Sequence, residues 1–164
     1  MRKLVFILIS VLIFISCNNN SADKEAKDET KKDTVIETVI VKPEVLNELV
    51  FKQKVFDYEK GKEWKYLGDK PCMIDFYADW CAPCRKLAPI IEELANEYQG
   101  KIQCYKINTD HNQNVSRYFN VSSIPAVLLC PMKGQPQMIV GLYPKQDYIN
   151  AIHQVLLDTV SSNK

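Results

Sequence analysis

Hydrophobic and polar positions divide the 164-residue chain into three parts. An apolar run from Leu4 to Ile15, interrupted only by Ser10, is followed by a polar, aromatic-free stretch from Asn18 to Asp33. Further along, short apolar runs alternate with segments whose apolar residues recur at helical spacing. We therefore predict a leader at 1–16, a tether at 17–43 and one folded domain at 44–164.

The folded part is predicted to follow the order β-α-β-α-β-α-β-β-α. This order implies an α/β fold: a mixed sheet of about five strands flanked by about four helices on its two faces. The strands are expected at Val50–Phe56, Cys72–Tyr77, Ile102–Ile107, Ala126–Cys130 and Gln137–Val140. The helices are expected at Tyr58–Leu67, over Leu87 to Tyr98 with a stop near Gly100, at Gln113–Phe119, and over Tyr148 to Leu156.

The leader has the pattern of a secretory signal. Arg2 and Lys3 precede a twelve-residue apolar core, which ends at a small residue and is too short for a comfortable membrane span. The alternative is an uncleaved signal anchor. Phe14-Ile15-Ser16-Cys17 also resembles the lipobox of bacterial lipoproteins, with Phe14 in place of the usual leucine. That resemblance implies that Cys17 is acylated and becomes the N-terminus after cleavage.

The segment after Cys17 is too polar to bury the apolar surface that folding requires, so we interpret it as a disordered tether. A coil of this length extends on the order of 20–25 Å. Val35–Val41 is apolar and β-branched. It is either an extra edge strand or an extended approach to the domain.

Charge and composition limit the partners and cofactors. Without residues 1–16 the chain has 19 basic and 20 acidic side chains, so it lacks the basic excess of nucleic-acid binders. Its five glycines form no phosphate-binding loop, and His111 and His153 lack metal-ligand spacing. We therefore expect no nucleic-acid partner, no resident metal and no cofactor.

The motif Trp80-Cys81-Ala82-Pro83-Cys84 lies between a predicted strand and a predicted helix. Two thiols separated by two residues can close into a disulfide ring and open again. At a helix N-terminus the backbone dipole favours the thiolate, which is the attacking species in thiol–disulfide exchange. The alternatives are a structural CxxC or half of a zinc site, although the chain has no second CxxC or CxxH.

Residues from about 50 to 160 resemble the thioredoxin family, and the motif at 80–84 matches that family's active site. Five further features carry the resemblance: the helix-kinking proline at Pro89, the buried aspartate at Asp75, the lysine near it at Lys106, the cis-proline segment Ser123-Ile124-Pro125, and the glycine beside the binding groove at Gly141. The resemblance implies the thioredoxin fold and a dithiol–disulfide oxidoreductase.

Three residues depart from the family pattern. Ala82 replaces a glycine, Tyr77 replaces the usual tryptophan, and Ala126 replaces the threonine common after the cis-proline. These departures are expected to shift the reduction potential and the choice of partner. They remove no reacting group.

The resemblance implies roles for four residues. Cys81 is the nucleophile that attacks a substrate disulfide, and Cys84 is the resolving thiol that releases the reduced substrate. Asp75 is a buried carboxylate that accepts the proton of Cys84, and Lys106 moderates its pKa. The alternative is an aspartate–lysine pair that merely tolerates burial.

The resemblance also implies a substrate groove. Pro125 is expected to be cis and adjacent to Cys81, which leaves the Ile124 backbone free to pair with an incoming chain. The groove is completed by Trp80, Ala82, Pro83 and Gly141. Trp80 alone has an alternative role in core or surface packing.

Three other cysteines, Cys72, Cys104 and Cys130, fall in predicted strands, where packing is the default interpretation of a free thiol. Cys72 and Cys130 can neighbour each other across strands, which leaves a second disulfide as a minor alternative.

From these features we expect a lipid-anchored monomer at the periplasmic face of a bacterial membrane. It reduces protein disulfides there, with electrons from a membrane dithiol transporter of the DsbD type. The 41 residues between Cys84 and Pro125 leave no room for the helical insertion of DsbA-type oxidants. The alternatives are a disulfide oxidant or isomerase, and a non-catalytic module that binds client chains.

Overall fold

The computed structural model describes residues 40–61 and 63–157. The predicted leader, the anchor at Cys17 and nearly all of the predicted tether lie outside the described residues. Of the segment Val35–Val41, only Ile40 and Val41 are described, and neither belongs to a strand. Within the described ranges, no helix is long and apolar enough to cross a bilayer.

Within the described ranges, five strands and four helices follow one another in the predicted order. The strands are β1 (Glu44–Val45), β2 (Cys72–Tyr77), β3 (Gln103–Asn108), β4 (Ala126–Cys130) and β5 (Gln137–Val140). The helices are α1 (Glu48–Lys54), α2 (Ala82–Glu97), α3 (Gln113–Tyr118) and α4 (Lys145–Ala151), and α4 continues into a π-helical segment at Ile152–Leu157.

The strands form one mixed sheet in the order β1-β3-β2-β4-β5. β1, β3 and β2 are parallel, whereas β4 is antiparallel to both β2 and β5. Because side chains alternate along β2, Met73 packs with α2 and α4 on one face while Ile74 and Phe76 pack with α1 and α3 on the other. The α/β class and the mixed sheet of the sequence prediction are confirmed.

The first predicted strand, Val50–Phe56, is wrong, because most of this segment forms helix α1. Asn47 caps the helix, since its side chain accepts a hydrogen bond from the Val50 backbone N–H at 2.9 Å. Phe51 and Val55, one helical turn apart, are both fully buried. The edge strand that pairs with β3 is instead β1.

The helix predicted at Tyr58–Leu67 is also wrong, because the described residues of this segment, 58–61 and 63–67, form turns and irregular chain. Its large side chains are held by aromatic contacts: the Trp64 ring lies 4.9 Å from that of Phe56 and 5.8 Å from that of Phe119, centroid to centroid. The Leu67 backbone N–H donates to the Val55 carbonyl at 2.9 Å. The apolar spacing of this segment therefore reflects packing on the α1–α3 face.

Candidate active site

Cys81 and Cys84 form a disulfide at the start of α2, with their Cα atoms 5.3 Å apart. Cys81 occupies the N-cap position, and its sulfur accepts a hydrogen bond from the Cys84 backbone N–H at 3.2 Å. When the disulfide is reduced, this donor and the helix dipole both favour a thiolate at Cys81. Each cysteine is only 3% exposed, so another molecule can reach the disulfide through only a small area of the surface.

Asp75 lies in the middle of β2 and is 3% exposed. Its Oδ1 is buried and has no hydrogen-bond partner among the described residues. Burial raises the pKa of Asp75 to about 7, and the positive charge of Lys106 on the neighbouring strand partly opposes this rise. Asp75 is therefore a carboxylate that can change its protonation state near neutral pH.

Asp75 and Cys84 border the same cavity of about 210 Å³. Its other lining residues are Tyr77, Ala78, Asp79, Arg85, Ala88 and Lys106. Because one water takes up about 30 Å³ of liquid volume, the cavity is large enough for water to carry a proton between the thiol and the carboxylate.

The exposed side of the disulfide carries the predicted groove residues. Ile124 packs against the disulfide and Ala78, and the peptide bond between Ile124 and Pro125 is cis. The Gly141 backbone N–H donates to the Pro125 carbonyl at 2.8 Å, which places Gly141 beside the cis-proline. Gly141 has a φ of 112°, a backbone conformation that favours glycine.

The remaining groove residues lie at the surface. Ala82 and Pro83 are exposed in the first turn of α2, and Trp80 is 70% exposed. Trp80 is therefore not a core residue. Its indole Nε1 donates a hydrogen bond to Asp110 Oδ2 at 2.9 Å.

Sequence reasoning missed Asp110 and Asn108. Asn108 is buried at the end of β3, and its side-chain oxygen accepts the Asp110 backbone N–H at 2.9 Å. Their position in the sequence, at and just after the end of a predicted strand, could have indicated them. β2 and β3 are parallel neighbours, so their carboxyl ends meet at one edge of the sheet. Polar residues that follow β3 therefore lie beside the cysteine motif that follows β2.

The other three described cysteines are buried free thiols. Cys72 and Cys130 are directly opposite in the β2–β4 register, and burial, together with a hydrogen bond to Cys72, raises the pKa of Cys130. Burial raises the pKa of Cys104 to about 12. Cys104 packs in the core on one face of the sheet, and Cys72 and Cys130 pack in the core on the other. Within residues 40–61 and 63–157, no three His, Cys, Asp or Glu side chains converge on a metal position.

Comparison with known proteins agrees with this architecture. The family model described as Thioredoxin matches residues 47–154. The chain belongs to the thioredoxin family. It is 44% identical over 107 residues to the Thioredoxin of Borreliella burgdorferi, covering 65% of this chain and 92% of that protein.

Two further proteins are also similar to this chain. The chain is 41% identical over 95 residues to the chloroplastic Thioredoxin M-type of Spinacia oleracea, which covers 58% of this chain and 52% of that protein, about half of its length. A crystal structure of chloroplastic thioredoxin z matches with a TM-score of 0.55 at 23% identity, over 70% of this chain and 95% of that one, which supports the fold. Its thioredoxin relatives identify the protein as a thiol:disulfide oxidoreductase.

Proposed function

We propose that this thioredoxin-family protein reduces protein disulfides at the periplasmic face of a bacterial membrane. The observation that carries the proposal is the cavity shared by Cys84 and Asp75, because it gives the resolving thiol a buried proton acceptor. The direction of electron flow is supported by the short path between β3 and β4. That path contains only the six-residue helix α3, with no inserted helical domain of the kind that DsbA-type oxidants carry.

The cycle begins when the Cys81 thiolate attacks one sulfur of the client disulfide, which breaks the client S–S bond and releases the first client thiolate. Cys84 then loses its proton to the Asp75 carboxylate through the shared cavity and attacks the Cys81 sulfur. The second client thiolate leaves and takes a proton. Two electrons have passed to the client, and the enzyme holds the Cys81–Cys84 disulfide seen in the structure.

The client enters as an extended chain. Because Pro125 has no N–H, the Ile124 backbone is left free to pair with the client in strand fashion. The exposed indole of Trp80 and the surfaces of Ala82 and Pro83 contact the client on the other side of the disulfide.

The electron supply and the location rest on the sequence pattern. A membrane dithiol protein of the DsbD type reduces the Cys81–Cys84 disulfide after each turnover, and the enzyme acts as a monomer. Acylated Cys17 and the polar tether hold the domain near the membrane. Labelled palmitate is expected to be incorporated into the full chain and lost on Cys17→Ser; incorporation that survives the substitution contradicts the anchor.

The test of direction is the reduction potential of the full chain in detergent, by equilibration with glutathione. A value near that of thioredoxin, about −270 mV, supports a reductase, whereas about −120 to −180 mV favours an oxidant or isomerase. If no reversible couple is found, the protein is a binding module. In that case a Cys81→Ser/Cys84→Ser double variant keeps its partners, whereas the same variant of a reductase loses turnover.

A further inference from the structure

Lys106 contacts an aromatic ring. Its Nζ lies 4.2 Å from the centroid of the Tyr77 ring, well within the range of a cation–π interaction. Lys106 in β3 is directly opposite Asp75 in β2, and Tyr77 follows Asp75 by two residues on the same face of the sheet. Among the described residues Lys106 forms no ion pair within 4.0 Å, so its charge acts on Asp75 from a distance.

The backbone of Tyr77 is held in place where β2 ends. The Tyr77 carbonyl accepts hydrogen bonds from the Thr109 backbone N–H at 2.8 Å and from the Thr109 hydroxyl at 3.2 Å. These hydrogen bonds tie the end of β2 to the chain that follows β3. The half-buried Tyr77 ring therefore starts from a fixed backbone position, and it lies against the Lys106 ammonium.

Other ionisable groups also surround Asp75. Arg85 and Glu92 of α2, Asp79 after β2 and Lys42 ahead of β1 line the two cavities that reach it, together with Cys84 and Lys106. Tyr148 of α4 lies within electrostatic range. Among these groups Lys106 is the one directly opposite Asp75 in the β2–β3 register, and its positive charge lowers the pKa of Asp75. The position of the Lys106 ammonium therefore affects how easily Asp75 ionises.

We propose that Tyr77 is a positioning residue. Its ring holds the Lys106 ammonium at a distance from which the positive charge partly stabilises the buried Asp75 carboxylate without forming an ion pair. In this way Tyr77 controls how readily Asp75 takes the proton of Cys84. The proposal rests on the proton-acceptor role of Asp75 in the proposed function. When the ring is removed, the Lys106 ammonium turns to water and Asp75 loses its nearest opposite charge.

The experiment follows the reduced full chain, in detergent, reacting with 5,5′-dithiobis(2-nitrobenzoate). Attack by Cys81 releases one thionitrobenzoate, and attack by Cys84 on the mixed disulfide releases the second. The rate of the second release rises with pH as Asp75 ionises, and its midpoint is compared in the wild type, Tyr77→Phe, Tyr77→Leu, Lys106→Met and the Tyr77→Leu/Lys106→Met double variant.

Tyr77→Leu is expected to raise the midpoint by about half a pH unit or more, in the same direction as Lys106→Met, because loss of the cation favours protonated Asp75. Tyr77→Phe keeps the ring and is expected to stay close to the wild type. In the Lys106→Met background, Tyr77→Leu is expected to raise the midpoint no further. This non-additivity separates positioning from a general loss of packing.

Either of two results would overturn the proposal. The first is that Tyr77→Leu raises the midpoint equally in the presence and absence of Lys106. The second is that Lys106→Met raises the midpoint and Tyr77→Leu does not. A different result would contradict the proposed function itself. If Asp75→Asn leaves the midpoint unchanged, Asp75 is not the proton acceptor, and Tyr77 then has no positioning role.

Discussion

The Trp80 indole is tied to Asp110 by a hydrogen bond of 2.9 Å, which links the residue before the nucleophilic cysteine to the loop after β3. Trp80 is 70% exposed, so this bond is what limits the freedom of a large apolar side chain beside the disulfide. A client chain meets the indole in one orientation, and less side-chain entropy is lost on binding.

Asp110→Ala is therefore expected to weaken client binding. We expect kcat/KM for reduction of insulin to fall by about threefold to tenfold, mainly through KM, because a hydrogen bond of this kind contributes about 1 kcal/mol. Asp110→Asn is the matched control, since its amide oxygen can still accept from the indole. An equal loss with a small disulfide substrate, which does not reach Trp80, would count against this role.

The stability of the protein is expected to depend on Asp75. Burial raises its pKa from 3.8 to about 7, so between these values the folded protein holds a proton that the unfolded chain releases. The stabilisation is complete below about pH 4 and is lost as pH rises through 7. At about 1.36 kcal/mol per pKa unit, the full effect is on the order of 4 kcal/mol.

Urea unfolding of the oxidised full chain at pH 5 and pH 8 measures this effect. The wild type is expected to be less stable at pH 8, and Asp75→Asn is expected to remove most of the difference and to be the more stable protein at pH 8. Asp69→Asn, at an exposed aspartate in the turn before β2, is the control and should retain the difference. If Asp75→Asn keeps the full pH dependence, the carboxylate is not the group responsible.

Among the described strands, the sequence predicted β2 to β5 well, whether fully buried like β4 or partly exposed like β5. β2, β4 and β5 have the predicted bounds, and β3 is displaced by one residue. These runs are apolar, short and bounded by turn residues, so few alternatives compete with a strand. The site motif was equally readable, because the chemistry of two thiols depends on local spacing.

The region before β2 was misread because local propensity and tertiary packing disagree there. Val50, Phe51, Val55 and Phe56 are good strand formers, yet the Asn47 cap begins a helix and buries Phe51 and Val55 on one face. Asn47 was visible in the sequence as a helix start. Contacts that join distant segments, such as the bond between Trp80 and Asp110, depend on the register of β2 with β3 and could not be read from spacing alone.

Alkylation is expected to separate the reactive thiol from the buried ones. In the reduced native protein near pH 7, iodoacetamide should label Cys81, because the N-terminus of α2 favours its thiolate. Cys72, Cys104 and Cys130 should stay unmodified, because they pack within the core on the two faces of the sheet and burial raises the pKa of Cys104 to about 12. Peptide mass spectrometry locates the label, and a denatured sample provides the fully labelled control. Rapid labelling of Cys104 in the native protein would contradict the described packing.

Asn96 is expected to fix the chain where it enters the domain. Its side-chain oxygen accepts from the Val41 backbone N–H at 2.8 Å, and its amide nitrogen donates to the Val41 carbonyl at 3.0 Å, so the side chain pairs with Val41 as a strand would. Asn96 belongs to α2, and Val41 lies three residues before β1. This pairing therefore ties the segment ahead of the edge strand to the active-site helix.

Asn96→Ala is expected to lower the free energy of unfolding by about 1–2 kcal/mol, since the two partly buried hydrogen bonds with Val41 are lost together with the exposed one that Asn96 donates to the Glu92 carbonyl at 2.7 Å. Asn150→Ala is the matched control, because it makes the same replacement within a helix, and the Asn150 side chain accepts only from Gln146 among the described residues. Both substitutions gain the same helix propensity, so their difference reports the hydrogen bonds that Asn96 makes with Val41 and with the Glu92 carbonyl. Hydrogen exchange at the Val41 amide should accelerate in Asn96→Ala alone, and equal stability of the two variants would show that β1 holds this segment without the Asn96 side chain.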